Sequence, residues 1–298
     1  MTASARLLLL CSLLVVLEGC AARRARHAAA AAKAEAVEAA KPPRPAVPAS
    51  PVTDQFAFRA GYYLGSAATA GRVDQTTPSS TGTPFSLEDD FRISPQAHQL
   101  RVEMMFRMRD RNRLRVDMWE LNRNSVTSPT RDITYGGNTF TPADSVRSRF
   151  DWRQIDFTYT YSLLRGERYE LGLGLGVHLL QAEAEAQVSA SPTRPTAVDE
   201  DFSGAGPFAT LAVDGSWRFT RRFAFSARGQ YLRLHVSSLT AAMSDYHADV
   251  QFRWRPNVAI GLGYQSTQTR LEVANNATNN GFMRLDLKGP ELFLRTSF

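Results

Sequence analysis

The chain has 298 residues, enough for one large domain and a tail, and a formal net charge of +6 that is unevenly placed. Residues 21–53 carry six Lys/Arg and two Glu, whereas residues 54–298 carry 28 Lys/Arg against 26 Asp/Glu. The basic balance therefore belongs mostly to the tail, and with no basic recognition helix or stacking motif the main region does not read as a nucleic-acid binder. Both cysteines, Cys11 and Cys20, fall in the first 20 residues, which leaves no disulfide framework and no cysteine metal site beyond them. A mean hydropathy of −0.28 excludes a helical membrane protein but not a barrel with a polar lumen.

In chain order, Met1–Gly19 has one early charge, Arg6, then the apolar run Leu7–Leu17, and reads as a secretory signal peptide too short to anchor. Leu17-Glu18-Gly19-Cys20 resembles the lipobox of bacterial lipoproteins, which implies lipidation at Cys20. Glu18 departs from the small or apolar residue of that pattern, and ordinary cleavage near Ala21-Ala22 stays open. Ala rather than Asp at position 21 implies, by the same resemblance, sorting of a lipidated form to the outer membrane. Residues 20–53 form an Ala-rich and then Pro-rich linker, expected to be disordered or partly helical and to bury no core.

From Gln55 onward the sequence alternates in ten segments. The clearest lie in Gln154–Leu180: Ile155, Phe157, Tyr159, Tyr161 and Leu163 alternate with Asp156, Thr158, Thr160 and Ser162. After Arg165-Gly166-Glu167, Leu171, Leu173, Leu175 and Val177 alternate with Gly172, Gly174, Gly176 and His178. Side chains alternate faces along a strand, so this is a hairpin with one oily and one polar side. Each arm keeps the period for roughly the 9–11 residues that a tilted strand needs to cross a bilayer. The other segments are Gln55–Leu64, Gln99–Arg109, Arg113–Asn122, Phe208–Phe219, Phe223–Val236, Tyr246–Trp254, Val258–Val273 and Gly281–Phe298.

The connections after the second, fourth, sixth and eighth segments are tight. Those after the first, third and fifth are long and polar, the last of them spanning about Ser189–Gly206, and a short hairpin is expected around Tyr135-Gly136-Gly137-Asn138. Trp217, Phe219, Phe223, Trp254, Tyr169 and Phe298 crowd the tight turns, as an interfacial girdle would. The last segment breaks the pattern, because Leu292, Leu294 and Phe298 share a parity with Arg284, Asp286 and Lys288. Either a bulge at Gly289-Pro290 exchanges the faces, or those charges stand above the lipid.

Residues 54–298 thus resemble the Gram-negative outer-membrane β-barrel proteins of uncharacterised small-barrel type. The resemblance implies an all-β fold, a closed antiparallel transmembrane barrel of about ten strands, in the bacterial outer membrane with its tail in the periplasm. Outer-membrane lipid and lipopolysaccharide are the implied surroundings. The terminal Phe298, ending the tenth segment, is similar to the C-terminal signal read by the barrel assembly machinery. The run Thr81–Phe91 is similar to first loops of small barrels to which no activity attaches.

With the oily sides on lipid, Arg59, Arg101, Glu103, Arg107, Arg109, Arg115, Asp117, Asp156, Glu170, Arg218, Arg228, Asp249 and Arg253 are expected in the lumen. Mixed signs permit pairing, and the expected role is structural or surface-interacting with a closed lumen. The alternatives are a narrow solute channel, favouring anions by the excess of arginine, and a barrel enzyme acting on lipid A or peptides. Omptin proteases are similar in strand count and use acidic and histidine residues at the outer rim. Asp245 and His247, placed near an outer loop, are the residues here that come nearest to that arrangement. No catalytic residue, metal ligand or cofactor is assigned. The acidic runs Glu88-Asp89-Asp90 and Asp199-Glu200-Asp201 read as solvated loop charge, with Ca²⁺ or Mg²⁺ shared with lipopolysaccharide phosphates as the alternative.

Overall fold

Alternation of side chains through a two-residue period forces each segment to choose an inside and an outside, and the backbone resolves that choice by closing a sheet. The computed structural model describes residues 49–76, 79–135, 138–189, 196–274 and 280–298. Ten long strands make the barrel: β1 (Phe56–Thr76), β2 (Gln96–Arg109), β3 (Asn112–Thr127), β4 (Val146–Arg165), β5 (Tyr169–Val188), β6 (Val198–Arg218), β7 (Phe223–Val236), β8 (Leu239–Arg255), β9 (Val258–Val273) and β10 (Asn280–Ser297). Each pairs antiparallel with the next, and β1 pairs with β10 from Ala57↔Ser297 to Asp74↔Asn280, which closes the sheet. The expected all-β closed ten-stranded barrel is therefore the fold.

Several strands run well past the expected ends. β4 has 20 residues and β6 has 21. At ~3.3 Å per residue and a tilt near 40°, 20 residues rise about 50 Å, well beyond a hydrocarbon core of about 30 Å. The loop expected from Ser189 to Gly206 shrinks accordingly, because β6 already begins at Val198.

The reason is an inversion of polarity along each strand. On β4 the outward side chains are Leu163, Tyr161, Tyr159, Phe157 and Ile155, then Arg153, Arg149 and Arg147, with Asp151 on the same parity but buried beside its partner Arg149. The inward ones run Ser162, Thr160, Thr158, Asp156 and Gln154, then Trp152, Phe150, Ser148 and Val146. On β5, Leu179 opposite Ile155 is the last oily outward residue, and Gln181 opposite Arg153 begins the polar part. Near the tight turns the outside is oily and the inside polar; beyond that height the two exchange. A belt of exposed Leu, Ile, Val, Phe and Tyr about nine residues tall is what a bilayer solvates, and a soluble monomer rarely carries so large an apolar patch.

The tenth strand follows the same rule. Its pairings with β1 and β9 keep one register throughout, so no bulge exchanges its faces. Arg284, Asp286 and Lys288 face outward above the belt, and Met283, Leu285 and Leu287 face inward. Of the two readings open from the sequence, the charges stand above the lipid.

Rings gather at the tight-turn end. Phe56 lies 5.0 Å from Phe106 and 6.5 Å from Phe298, and Phe219 lies 5.8 Å from Trp217 and 5.9 Å from Phe223. At the opposite end an apolar core fills the barrel. Phe85, Leu87, Phe91 and Ile93 of the first loop, with Ile133, Tyr135 and Phe140 of the short hairpin Ile133–Tyr135/Asn138–Phe140, pack on Trp119, Phe150, Trp152 and Leu285. Ala182, Ala184 and Ala186 on β5 are small where these rings press inward. The run Thr81–Phe91, to which the sequence attaches no role, is thus a built part of the interior.

Candidate functional site

The lumen between these two ends is a charge network. Parity alone places its members inside, while the barrel curvature brings together residues far apart in sequence. Arg107 on β2 reaches Glu170 on β5 with Nη1 at 2.7 Å and Nη2 at 2.8 Å. Ser162 also donates to Glu170. Arg113 joins Glu170 at 3.4 Å and Asp214 at 2.7 Å, and Arg115 joins Asp214 at 3.3 Å and Glu103 at 3.3 Å. Arg228 carries the chain on from Glu103 to Asp117, 3.1 Å away. Arg101 donates through Nε to both oxygens of Asp117 at 2.8 and 2.9 Å, and lies 3.6 Å from Asp245.

A second group surrounds Arg59. Its guanidinium lies 3.1 Å from Asp249, 2.7 Å from Glu291 and 2.9 Å from His247 Nε2, and rests 3.6 Å over the Phe293 ring. A third centres on His178, whose Nδ1 lies 2.5 Å from Asp156 and whose Nε2 lies 2.8 Å from the Gln230 side-chain oxygen and 3.0 Å from Thr210 Oγ1. Gln154 donates to both oxygens of Asp156 at 2.9 Å. Isolated buried ions cost several kcal/mol each, so pairing on this scale is what lets charges occupy a barrel interior.

The tight-turn mouth is capped by the chain itself. Thr53 and Asp54 donate their N–H groups to the Ser50 carbonyl at 2.9 and 3.0 Å, making a turn that sits inside the rim. The Asp54 carboxylate takes Arg253 at 2.7 Å and Arg295 at 3.2 Å. Arg107 Nε donates to the Asp54 carbonyl at 3.1 Å, and Arg165 donates to the Val52 carbonyl at 3.4 Å. Val52 is buried. Residues 49–54 thus belong physically to the barrel, although their composition continues the linker.

Among the residues expected in the lumen, Arg59, Arg101, Glu103, Arg107, Asp117, Asp156, Glu170, Asp249 and Arg253 are buried there, and Arg115 and Arg228 are nearly so. Arg218 is buried at the tight-turn end, donating to the Glu167 carbonyl at 3.2 Å. Arg109 is not in the lumen: a register shift between Arg107 and Arg109 turns it out at the hairpin, where it is exposed. Asp54, Arg113, Asp214, Asp245, Glu291 and Arg295 join the network without having been singled out for it. Arg113 shares parity with Arg115, and Asp214 with Arg218, so both were within reach of the alternation.

With these additions, Asp54, Glu103, Asp117, Asp156, Glu170, Asp214, Asp245, Asp249 and Glu291 face Arg59, Arg101, Arg107, Arg113, Arg115, Arg218, Arg228, Arg253 and Arg295, nine against nine. The arginine excess expected from the shorter set disappears. A cavity between Arg59, Arg115, Asp214 and Arg228 holds about 30 Å³, close to the share of one water.

Asp245 and His247 do not lie at an outer loop. Both are buried at mid-height, with Gln265 donating to Asp245 at 3.1 Å and His247 Nε2 lying 3.2 Å from Glu291. In the first loop, Glu88 takes the Thr69 N–H at 2.8 Å and Arg123 at 2.6 Å. Asp90 takes the Ser86 N–H at 2.9 Å and Arg131 at 2.9 and 3.0 Å. These two carboxylates are loop fasteners, not solvated charge. Burial alone would raise the Asp90 carboxyl, but the hydrogen bonds from Arg131, Ser86 and Thr130 outweigh it and hold the group below its ordinary value. Among the described residues, no group of three His, Cys, Asp or Glu side chains is placed to hold a metal ion. The expected signal peptide, the lipobox-like run Leu17–Cys20 and the lipidation expected at Cys20 lie outside the described residues.

No family model and no curated protein matches the chain. Solved structures do resemble it in outline. The outer-membrane protease OmpT from Escherichia coli is 13% identical with a TM-score of 0.49, over 82% of this chain and 96% of that one. The outer-membrane protein OprG from Pseudomonas aeruginosa is 11% identical with a TM-score of 0.35, over 82% and 96%. The toluene transporter TodX from P. putida is 9% identical with a TM-score of 0.32, over 82% and 90%. Likenesses of this order carry nothing about activity.

Proposed function

We propose that the protein is a resident barrel of the bacterial outer membrane whose lumen is shut, and which serves as a rigid surface-presenting body. The observation that carries this reading is the run of ion pairs from Arg107 through Glu170, Arg113, Asp214, Arg115, Glu103, Arg228 and Asp117 to Arg101. Its links other than Arg115–Glu103 and Asp117–Arg101, which join the paired strands β2 and β3, cross the lumen between non-neighbouring strands. The Ser50–Asp54 turn lies on one side of it and the apolar loop core on the other. A solute would have to displace all three. The narrow channel is therefore the weaker reading. So is a barrel enzyme, since Asp245 and His247 are engaged with Gln265 and Glu291 and buried from any substrate.

The tight-turn end faces the periplasm in this reading, as short turns do in such barrels, and the tail extends from it. There the linker leads back to Cys20, with lipidation as a second membrane attachment. The C-terminal strand ending at Phe298 serves as the signal for the assembly machinery. Planar bilayers test the central part: the reconstituted wild-type chain is expected to produce no current steps. Steady single-channel conductance would overturn it in favour of the channel. Mass analysis of the mature N-terminus in wild type and Cys20→Ala tests the attachment.

A further inference from the structure

Above the oily belt, the outward face of β7–β10 is built in rows that the strand register defines. Tyr231 pairs with Ser244, Ser244 with Gln268, and Gln268 with Asp286, so these four stand side by side. The row above is Arg233, Ala242, Arg270 and Arg284, each again opposite the next. The row below ends in Ser266 opposite Lys288, and beneath that comes Tyr264 opposite Pro290, where the belt stops.

The small Ser244 and Ala242 leave a hollow of about 260 Å³, walled by Tyr231 and by Arg270 and Arg284. Arg270 lies 3.0 Å from Glu272 and Arg284 2.6 Å from Asp286. Both pairs are half-exposed, and surface pairs of this kind hold with little free energy. Counting Arg233, Arg270, Arg284 and Lys288 against Glu272 and Asp286, the wall is net cationic.

Height says what meets it. Successive rows stand two residues apart, about 5 Å in height for a tilted strand. On β9 and β10 the hollow's two rows stand two and three rows above Tyr264 and Pro290. On the β7–β8 side, however, the exposed ring of Tyr231 stands in the lower of them and that of Tyr246 in the row beneath. Such tyrosines sit at the headgroup level of a bilayer, which places the lower row there, and the long arginine side chains of the upper row reach down to it. We propose that this hollow binds the phosphate-bearing headgroup of a membrane lipid. The two guanidiniums hold the phosphate, displacing their side-chain carboxylate partners, while Ser244 and Gln268 meet the headgroup's polar substituents and Tyr231 lies against its glycerol or acyl end. The proposal shares the outer-membrane placement only for which leaflet supplies the lipid; binding in micelles is independent of it.

Native mass spectrometry of the full chain in uncharged detergent tests this, with dioleoyl phosphatidic acid, dioleoyl phosphatidylcholine and inorganic phosphate as probes. One equivalent of phosphatidic acid is expected to be retained, and neither phosphatidylcholine nor inorganic phosphate. Arg270→Gln with Arg284→Gln should weaken retention roughly tenfold or more, by the loss of two surface cations. Arg147→Gln with Arg149→Gln, the same charge change on β4, should leave it unaltered. Equal weakening by both double variants would reduce the effect to net charge and overturn the proposal. Retention of inorganic phosphate at the same concentration would overturn it in favour of a free-anion site. Heat-dependent gel mobility verifies that each variant is folded, which the exposure of these side chains leads one to expect.

Discussion

Arg107 and Glu170 clasp each other across the lumen by two hydrogen bonds of 2.7 and 2.8 Å, from strands that are three apart in the sheet, with neither side chain exposed. No other carboxylate is as deeply enclosed by both a bidentate arginine and a hydroxyl, here that of Ser162, among the pairs of this network. Removing Arg107 leaves Glu170 with only the longer contact to Arg113 at 3.4 Å and the Ser162 hydroxyl, an under-compensated ion in the interior. Arg107→Ala is expected to destabilise the barrel by about 3–5 kcal/mol, whereas Arg107→Met with Glu170→Gln should lose much less. Urea unfolding in detergent, followed by tryptophan fluorescence, measures both. An equal loss from the single and double variants would mean that packing rather than charge decides the site.

The Asp54 clamp joins the segment before β1 to β8 and β10. Asp54→Asn keeps the shape but removes the charge held by Arg253 and Arg295. The turn at Ser50–Asp54 should then leave the rim, which Val52→Cys labelling with a water-soluble maleimide reports: slow in an otherwise wild-type chain, fast with Asp54→Asn. Fast labelling in both would show that the cap does not need the carboxylate.

Loop closure should depend on acid. The folded Asp90 carboxyl is held below its ordinary value, so its contribution is complete above the unfolded value near 4 and is lost as pH falls through the lower folded value. The backbone amide resonances of Ser86 and Thr130 are expected to stay fixed from pH 7 to about 5 and to shift only below about 4. In Asp90→Asn the step should vanish. A shift centred at pH 6 would point to a different group.

Much of this was legible in the alternation, and the failures share one cause. β7 and β9 have the ends that the sequence marks, Phe223–Val236 and Val258–Val273. β7 turns shortly beyond Tyr231, its last oily outward residue, whereas β9 runs on past Tyr264 with Ser266, Gln268, Arg270 and Glu272 on its outward side. β4, β5 and β6 continue well past Ile155, Leu179 and Phe208, but there the outward positions become Arg153, Gln181 and their successors while the inward ones turn apolar. A search for oily residues on one constant parity stops at that point. Lys288 and Leu292 on one face looked contradictory for the same reason. Network membership followed parity, as for Arg115 and Asp117, but partners did not: Arg59 and Asp249 are 190 residues apart, and only closure brings them within 3.1 Å.

The apolar loop core predicts a cavity penalty at the long-loop end. Phe140 and Trp152 are essentially unexposed, and Trp152 stacks on Trp119 at 6.5 Å between ring centres. Phe140→Ala should cost about 3–5 kcal/mol if the core is as tightly packed as a protein interior. The same urea experiment reads it. A loss below about 1 kcal/mol would show that the loop rests on the barrel without contributing to it.

The measurement closest to the main claim, that lipid solvates the outer side of each strand up to one height and water beyond it, uses two spin labels on one strand. Leu175→Cys and Glu183→Cys both project outward from β5, the first inside the belt and the second above it. In lipid vesicles, the label at 175 should collide mainly with dissolved oxygen and the label at 183 mainly with a water-soluble nickel chelate. Equal access of the chelate to both positions would contradict a membrane-embedded belt.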